Sequence, residues 1–368
     1  MQRSHRVAQA IIVISVGITL AGHIWLALSR SDYVTNSEDV DRHQSKSYGG
    51  DNTVRISQWR QGSLEAIDSR RIVLHETSGR GYLNVRQSCA VESAARHNPD
   101  RPIHVFMRWT APDRGNSSDT WFTVLTHYNN VEIIQIDDEI KYSNNTALFN
   151  WFKTRSRKNL EQSGHLSDYI RSVTLFRGGG LFLDMESVIT IKPLNWSKWN
   201  NFFVVKRSNK NNERGEITVK MLHLVHGHHL IDEIILNIAK MGVTDDGILG
   251  AAIDASVNRI CGGDVSWNIK NQCLDVRLID EDDVFLPPLH SLLWGSLRLA
   301  INSNEGHGML KRAIVNQGAV LMEWDSMASL NRNLLDPMYS SLLEEYCPFT
   351  FANAKQFPAF HSSLSMNF

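Results

Sequence analysis

Two acids separated by one residue, Asp184 and Glu186, are the chemistry-bearing feature of this 368-residue chain. They follow a short apolar run, Leu181, Phe182 and Leu183, that reads as a buried strand. Acids two apart on an extended chain point the same way. At the carboxyl end of a strand in an open α/β sheet they can hold a divalent cation against a diphosphate, because hard cations take carboxylate oxygens. The residues before them must position that pair. Gly178, Gly179 and Gly180 stop a helix, since glycine turns cheaply through positive φ. Ile170, Val173, Thr174 and Arg177 in that helix follow helical spacing. Ser167 is its expected N-cap, and Asp168 adds negative charge at the positive end of the helix dipole.

Residues 166–194 resemble the centre of the α1,4-galactosyl/α1,4-N-acetylglucosaminyl transferase family. The shared pattern is Ser-Asp, two residues, Arg, a short helix, Gly-Gly, an aromatic, then Leu-Asp-x-Asp. Ser167, Asp168, Arg171, Gly179, Gly180, Leu183 and Asp184 match it, and Glu186 stands where the family has its second Asp. The resemblance implies a GT-A-like, Rossmann-type α/β domain that uses a UDP-sugar and Mn²⁺. Asp184 and Glu186 would hold the metal. Asp168, Arg171, Gly179 and Gly180 would lie on the donor, with Asp168 accepting its hydroxyls and Arg171 near its sugar or phosphate. For Asp168 and Arg171 the plainer reading is a helix cap and an intrahelical ion pair. The implied donor is UDP-galactose or UDP-N-acetylgalactosamine, transferred with retention in α1,4 linkage to a glycolipid, a step of glycosphingolipid biosynthesis. The family has no agreed protein nucleophile, and none is assigned here.

The flanking elements support the same architecture. Residues 71–75 read as a first strand ending at Glu76, Thr77 and Ser78, a tripeptide shared with the family that puts Thr77 and Ser78 near the base or ribose. The bland alternative is a strand-ending turn. Residues 88–96, with Ser88 a possible cap and Asn98-Pro99 as terminator, read as a helix. Residues 103–107 and 131–136 are further strands. Strands alternating with helices argue for a parallel, helix-covered sheet. Trp151 and Phe152 read as core. A cluster of His223, His226, His228 and His229 precedes an amphipathic helix carrying Ile231, Ile234, Ile235 and Ile238. Its spacing lacks the two-histidine helical zinc pattern with an intervening Glu.

Thirty-eight basic and 39 acidic residues balance, so bulk charge gives no argument for nucleic acid. Residues 1–6 carry Arg3, His5 and Arg6 ahead of an apolar run over 7–28, about the length that crosses a bilayer. The run is expected to be a signal-anchor with the N-terminus cytosolic, a cleaved signal being the alternative. Residues 29–70 are polar and read as a flexible stem, and 71–368 as the lumenal domain. By resemblance this is a single-pass type II protein of the Golgi membrane. Sequons at Asn116, Asn144 and Asn195 fall in the lumenal part. The chain has four cysteines. The family's register suggests Cys261 with Cys273 and Cys89 with Cys347, although sequence alone allows three connectivities.

The chain also departs from the family. Residues 219–224 read Val-Lys-Met-Leu-His-Leu where the family has small residues near the sugar. Met322, Glu323 and Trp324 replace a His-x-Trp whose His is expected to complete the metal site. Two other readings therefore stay open: a catalytically impaired relative serving as a lumenal binding or scaffold protein, and a zinc hydrolase built on the histidine cluster.

Overall fold

The computed structural model describes residues 55–58, 68–79, 81–108, 124–154, 166–194, 200–206, 216–241, 248–261, 272–286, 320–323 and 343–355. The strands are β1 (Arg55–Gln58), β2 (Ile72–Glu76), β3 (Ile103–Arg108), β4 (Val131–Ile136), β5 (Gly180–Leu183), β6 (Val188–Thr190), β7 (Asn201–Lys206), β8 (Glu216–Leu224), β9 (Gln272–Cys273), β10 (Val276–Asp280) and β11 (Leu321–Glu323). The helices used below are α1 (Val85–His97), α2 (Glu139–Tyr142), α3 (Leu148–Thr154), α4 (Leu166–Gly178), α5 (His229–Lys240), α6 (Ile248–Cys261) and α7 (Pro348–Lys355).

Among the described residues, nine strands form one sheet in the order β1-β4-β3-β2-β5-β8-β7-β10-β9. The first five run parallel, as strand–helix alternation requires. β8 is antiparallel to both β5 and β7, so the sheet is mixed rather than all parallel. This corrects the parallel expectation. β8 follows β7 in sequence and is its neighbour in the sheet, and consecutive neighbouring strands can pair antiparallel.

Alternation along β2 and β3 divides the core between two faces. Val73 and Phe106 join α3, α4, α5 and α6 on one face. Ile72, Leu74, Ile103 and Val105 join α1, β6 and β11 on the other. Trp151, Phe152 and Tyr169 pack as an aromatic group on the first face, with Trp151 and Tyr169 centroids 4.2 Å apart. The core reading of Trp151 and Phe152 holds.

Three boundaries differ from expectation. Arg55–Gln58 lies inside the stretch read as stem, yet it pairs with β4 as the edge strand. Backbone pairing at an edge needs little side-chain pattern, so its polar sequence hid it. α1 begins three residues earlier than Ser88, capped by Asn84, whose side chain accepts from Gln87 N–H. Ser167 lies within α4, which starts at Leu166, so it is not the cap.

Cys89 on α1 is joined to Cys347 by a disulfide, their Cα atoms 5.1 Å apart. One turn along α1, the buried Glu92 carboxylate accepts from the N–H groups of Phe349 and Thr350 at 2.9 and 2.8 Å. It thereby caps α7. The side chains of Cys261 and Cys273 lie outside the described residues, as do Asn116, Asn195 and the expected anchor over 7–28. Among the described residues no helix is long and apolar enough to cross a membrane. Asn144 is partly buried in the turn after α2, where its carbonyl accepts from Arg177 at 3.1 Å.

Candidate active site

Arg71, a fully buried side chain at the start of β2, ties the end of the central helix to the strand that leads to the acids. Its guanidinium donates to Gly179 O at 2.9 Å and Thr174 O at 3.1 Å. It thus satisfies carbonyls at the end of α4, where a cation is also favoured by the dipole. The glycines make room for this. A Cβ at Gly178 would lie 2.3 Å from Arg71 Nη2. Gly179 has φ +64°, and its Cβ would meet His226 N at 2.3 Å. The chain can therefore reverse directly from α4 into β5, which delivers Asp184 to the sheet's carboxyl edge.

There a cleft of about 240 Å³ is lined by the ends of β2, β3 and β5 and the start of α4. His75, Glu76, Thr77, Ser78, Arg108 and Ser167 surround Asp184 and Glu186. A larger cavity, about 380 Å³, lies at the amino ends of β3 and β4 beside Arg101 and Glu132, away from both acids. Ligand sites of open α/β sheets form at carboxyl edges, which makes the smaller cleft the candidate site.

Asp184 sits at the end of β5, its N–H donating to Lys220 O at 2.9 Å. Its Oδ1 accepts from Glu186 N–H at 3.2 Å and its Oδ2 from the Ser187 hydroxyl at 2.5 Å. Each oxygen keeps a further lone pair. Glu186 is exposed in the following turn, and its Oε1 accepts from Gln87 Nε2 of α1. Two carboxylates at a cleft mouth are the donor set that suits a hard divalent cation sharing its remaining positions with phosphate oxygens and water. Among the described residues, no group of three His, Cys, Asp or Glu could hold a metal by itself. Asp184 and Glu186 offer carboxylate oxygens of the kind a hard cation takes, and a cation held by them would draw its remaining ligands from phosphate and water. Met322 pairs with Ile189 in register, so the segment expected to carry the family His runs along β6, the strand that follows the acids.

Arg171 lies behind the acids. It pairs with Asp168 at 3.4 Å, donates to Val219 O at 2.9 Å, and stacks 3.8 Å over the Phe182 ring. Burial pulls its pKa down, while Asp168 and Asp184 push it back up. Its Nε is buried without a hydrogen-bond partner. The intrahelical ion pair is present, and the contact with Val219 also ties α4 to β8. Thr77 and Ser78 lie at the cleft's lip, with Ser78 N–H donating to Glu76 Oε1 at 3.0 Å. Gly179 and Gly180 serve the backbone turn rather than lining this cleft.

Two lining residues were not singled out from sequence. Arg108 ends β3, buried against Glu139 of α2 as an ion pair. His75 packs between Phe106 and Phe182. Burial and the two arginines, Arg171 and Arg71, hold its imidazole well below the usual histidine range. Thr174 Oγ1 gives its proton to Ile170 O, so His75 Nε2–H donates to Thr174 at 2.9 Å. Nδ1 is left a bare acceptor. Both residues stand at strand ends, the one positional signal that marks them.

The histidine cluster disperses. His223 is in β8, bonded to Ser69 O at 2.8 Å. His228 caps α5 through Leu230 N–H and meets Asp275 at 2.7 Å. His226 and His229 are exposed. These are structural roles, and the zinc reading falls with them.

Residues 84–203 match the family model described as a glycosyltransferase sugar-binding region containing DXD motif. The chain is 33% identical to human Alpha-1,4-N-acetylglucosaminyltransferase over 137 residues, covering 36% of this chain and 40% of that protein. It is 31% identical to mouse Lactosylceramide 4-alpha-galactosyltransferase over 122 residues, covering 33% and 34%. The chain thus spans well under half the length of these curated relatives. Among solved structures, the bifunctional glycosyltransferase WbbM aligns with 78% of this chain and 51% of its own, at TM-score 0.44 and 9% identity. The galactosyltransferase LgtC in complex with donor and acceptor sugar analogs aligns with 77% and 95%, at TM-score 0.35 and 11% identity. At such low TM-scores and identities these likenesses decide nothing about function. The DXD-region match and the two curated relatives, by contrast, support the α1,4-galactosyl/α1,4-N-acetylglucosaminyl transferase family for this chain.

Proposed function

We propose that the protein is a hexosyltransferase of GT-A type that moves galactose or N-acetylgalactosamine from a UDP-sugar, in α1,4 linkage and with retention, to a glycolipid. The observation that carries this is the acid pair Asp184 and Glu186 at the mouth of a cleft whose other wall is the end of β2. A divalent ion, Mn²⁺ by preference, would stabilise negative charge on the departing nucleoside diphosphate when bound there. Asp184 and Glu186 would hold it. The protein's own residues do the rest. Thr77 and Ser78 face the nucleoside side of the cleft. Buried Arg171 lends positive potential behind Asp184, where diphosphate charge accumulates. Asp168 keeps that guanidinium in place. The apolar run over 7–28 would anchor the protein in the Golgi membrane with this domain lumenal.

The test measures UDP release and glycolipid product from UDP-galactose and UDP-N-acetylgalactosamine, with and without Mn²⁺, beside an Asp184→Ala control. Mn²⁺-dependent transfer that the control abolishes is expected, and the faster donor names the sugar. A folded protein that neither binds nor turns over either donor, with several acceptors tried, would instead make it a binding relative whose changes at Glu186 and Met322 ended catalysis.

A further inference from the structure

Gln87 is the third residue of α1 and is fully buried. Its backbone N–H donates to Asn84 Oδ1 at 2.9 Å, and its Oε1 accepts from Asn84 N–H at 2.8 Å. This reciprocal capping box decides which way the amide faces. A backbone N–H can only donate, so the side-chain oxygen must point to Asn84. The NH₂ group is then turned away from the helix start, where Nε2 donates to Glu186 Oε1. One buried amide closes a helix cap on one side and grips a cleft carboxylate on the other.

Glu186 needs such a grip. It is exposed, on a turn, with a long side chain whose rotamer freedom must be given up to fix the carboxylate. An amide donor orders the carboxylate without cancelling its charge. A Lys or Arg in that place would compete with a cation. Reach matters as well. An Asp at 186 would withdraw the carboxylate by about one carbon–carbon bond, roughly 1.5 Å, and out of hydrogen-bond range of an amide that the cap holds still. The choice of Glu at 186 and the presence of Gln87 are therefore one arrangement.

We infer that Gln87 is a positioning residue: the capping box of α1 holds the Glu186 carboxylate at the cleft mouth, presenting the second acid to a divalent cation. This rests on the reading of Asp184 and Glu186 as the cation-holding pair.

The test follows Mn²⁺ binding by electron paramagnetic resonance on the full chain with UDP present. It compares wild type, Gln87→Met, Glu186→Asp and the double variant. Gln87→Met keeps the bulk and removes the donor. Each single variant is expected to weaken Mn²⁺ affinity about tenfold, the scale of losing a partner that orients a ligand. The double variant is expected to be no weaker than the worse single one, because both lose the same contact. Asn84→Ala controls for helix stability: it removes the side-chain acceptor of the cap but keeps the residue-84 N–H that orients the Gln87 amide, so it lowers the melting temperature while leaving Mn²⁺ affinity within about twofold of wild type. Wild-type Mn²⁺ binding unchanged by Gln87→Met, or losses that add in the double variant, would overturn the inference alone. No Mn²⁺ binding by folded wild-type protein with UDP would overturn the cation reading and the inference together.

Discussion

Gly179 and Gly227 both have positive φ, +64° and +71°, but their surroundings differ. At Gly179 a Cβ would lie 2.3 Å from His226 N, 2.8 Å from Val225 C and 2.9 Å from Leu224 O. At Gly227 nothing lies within 4 Å. Alanine at either position takes on the left-handed backbone, at about 1–2 kcal/mol. At Gly179 the neighbours are backbone of the segment after β8, which cannot rotate aside, so overpacking adds about 1–3 kcal/mol. Gly179→Ala is expected to destabilise by about 2–5 kcal/mol and Gly227→Ala by about 1–2 kcal/mol. Thermal unfolding followed by circular dichroism reads this as falls of roughly 5–15 °C and 2–6 °C. Because Gly179 sets the angle at which β5 leaves α4, Gly179→Ala should also lose UDP binding while Gly227→Ala keeps it. Equal melting temperatures for the two variants would refute the claim that close approach at Gly179 builds the site.

Other expectations follow from individual contacts. Asp168→Asn leaves the buried Arg171 guanidinium without its ion partner and should cost about 3–5 kcal/mol in urea unfolding, whatever it does to turnover. Glu92→Gln replaces a carboxylate that accepts from Phe349 N–H, Thr350 N–H and Tyr128 OH, so about 2 kcal/mol and preferential exposure of α7 to proteolysis are expected. Removing the Cys89–Cys347 disulfide by a double serine substitution frees a loop with a sequence separation of 258 and should cost about 3–5 kcal/mol, read by melting with and without reductant. Burial lowers His104 and His223 to about 4 in the folded protein. The unfolded chain takes up those protons near 6.5, so it binds more of them between the two values. Stability should therefore be full above about pH 6.5 and fall as pH drops towards 4, by at most about 3 kcal/mol per histidine. His104→Gln and His223→Gln should flatten that slope in melting curves taken across the window.

The acids, the helix before them and the strands on either side were legible because each has a short-range signature. The run Leu181, Phe182, Leu183 is apolar, Gly178 to Gly180 punctuate it, and Asp184 and Glu186 follow it directly, although Glu186 lies in a turn and not on the extended chain whose period of two would set both acids on one face. What stayed hidden depends on distance in sequence. The three glycines read as a helix stop, but Gly178 is small because Arg71, far away in the chain, lays its guanidinium there. Gln87 carries no signal in the sequence, since nothing local shows that Glu186 lies against its amide. The histidine cluster looked like a candidate ligand set because its members are close in sequence. The extended course of β8 and the turn before α5 send His223 and His228 to different partners. The antiparallel insertion of β8 likewise follows from strand pairing, which no local pattern encodes.

On the proposed function, Asp184 and Glu186 receive a divalent cation together with a nucleoside diphosphate at the end of β5. Anomalous diffraction from crystals grown with Mn²⁺ and UDP tests it most directly. The prediction is one manganese peak between about 2.0 and 2.6 Å from an oxygen of each carboxylate, with the diphosphate on its far side. UDP bound in the cleft with no manganese at these acids, or manganese held elsewhere, would contradict it.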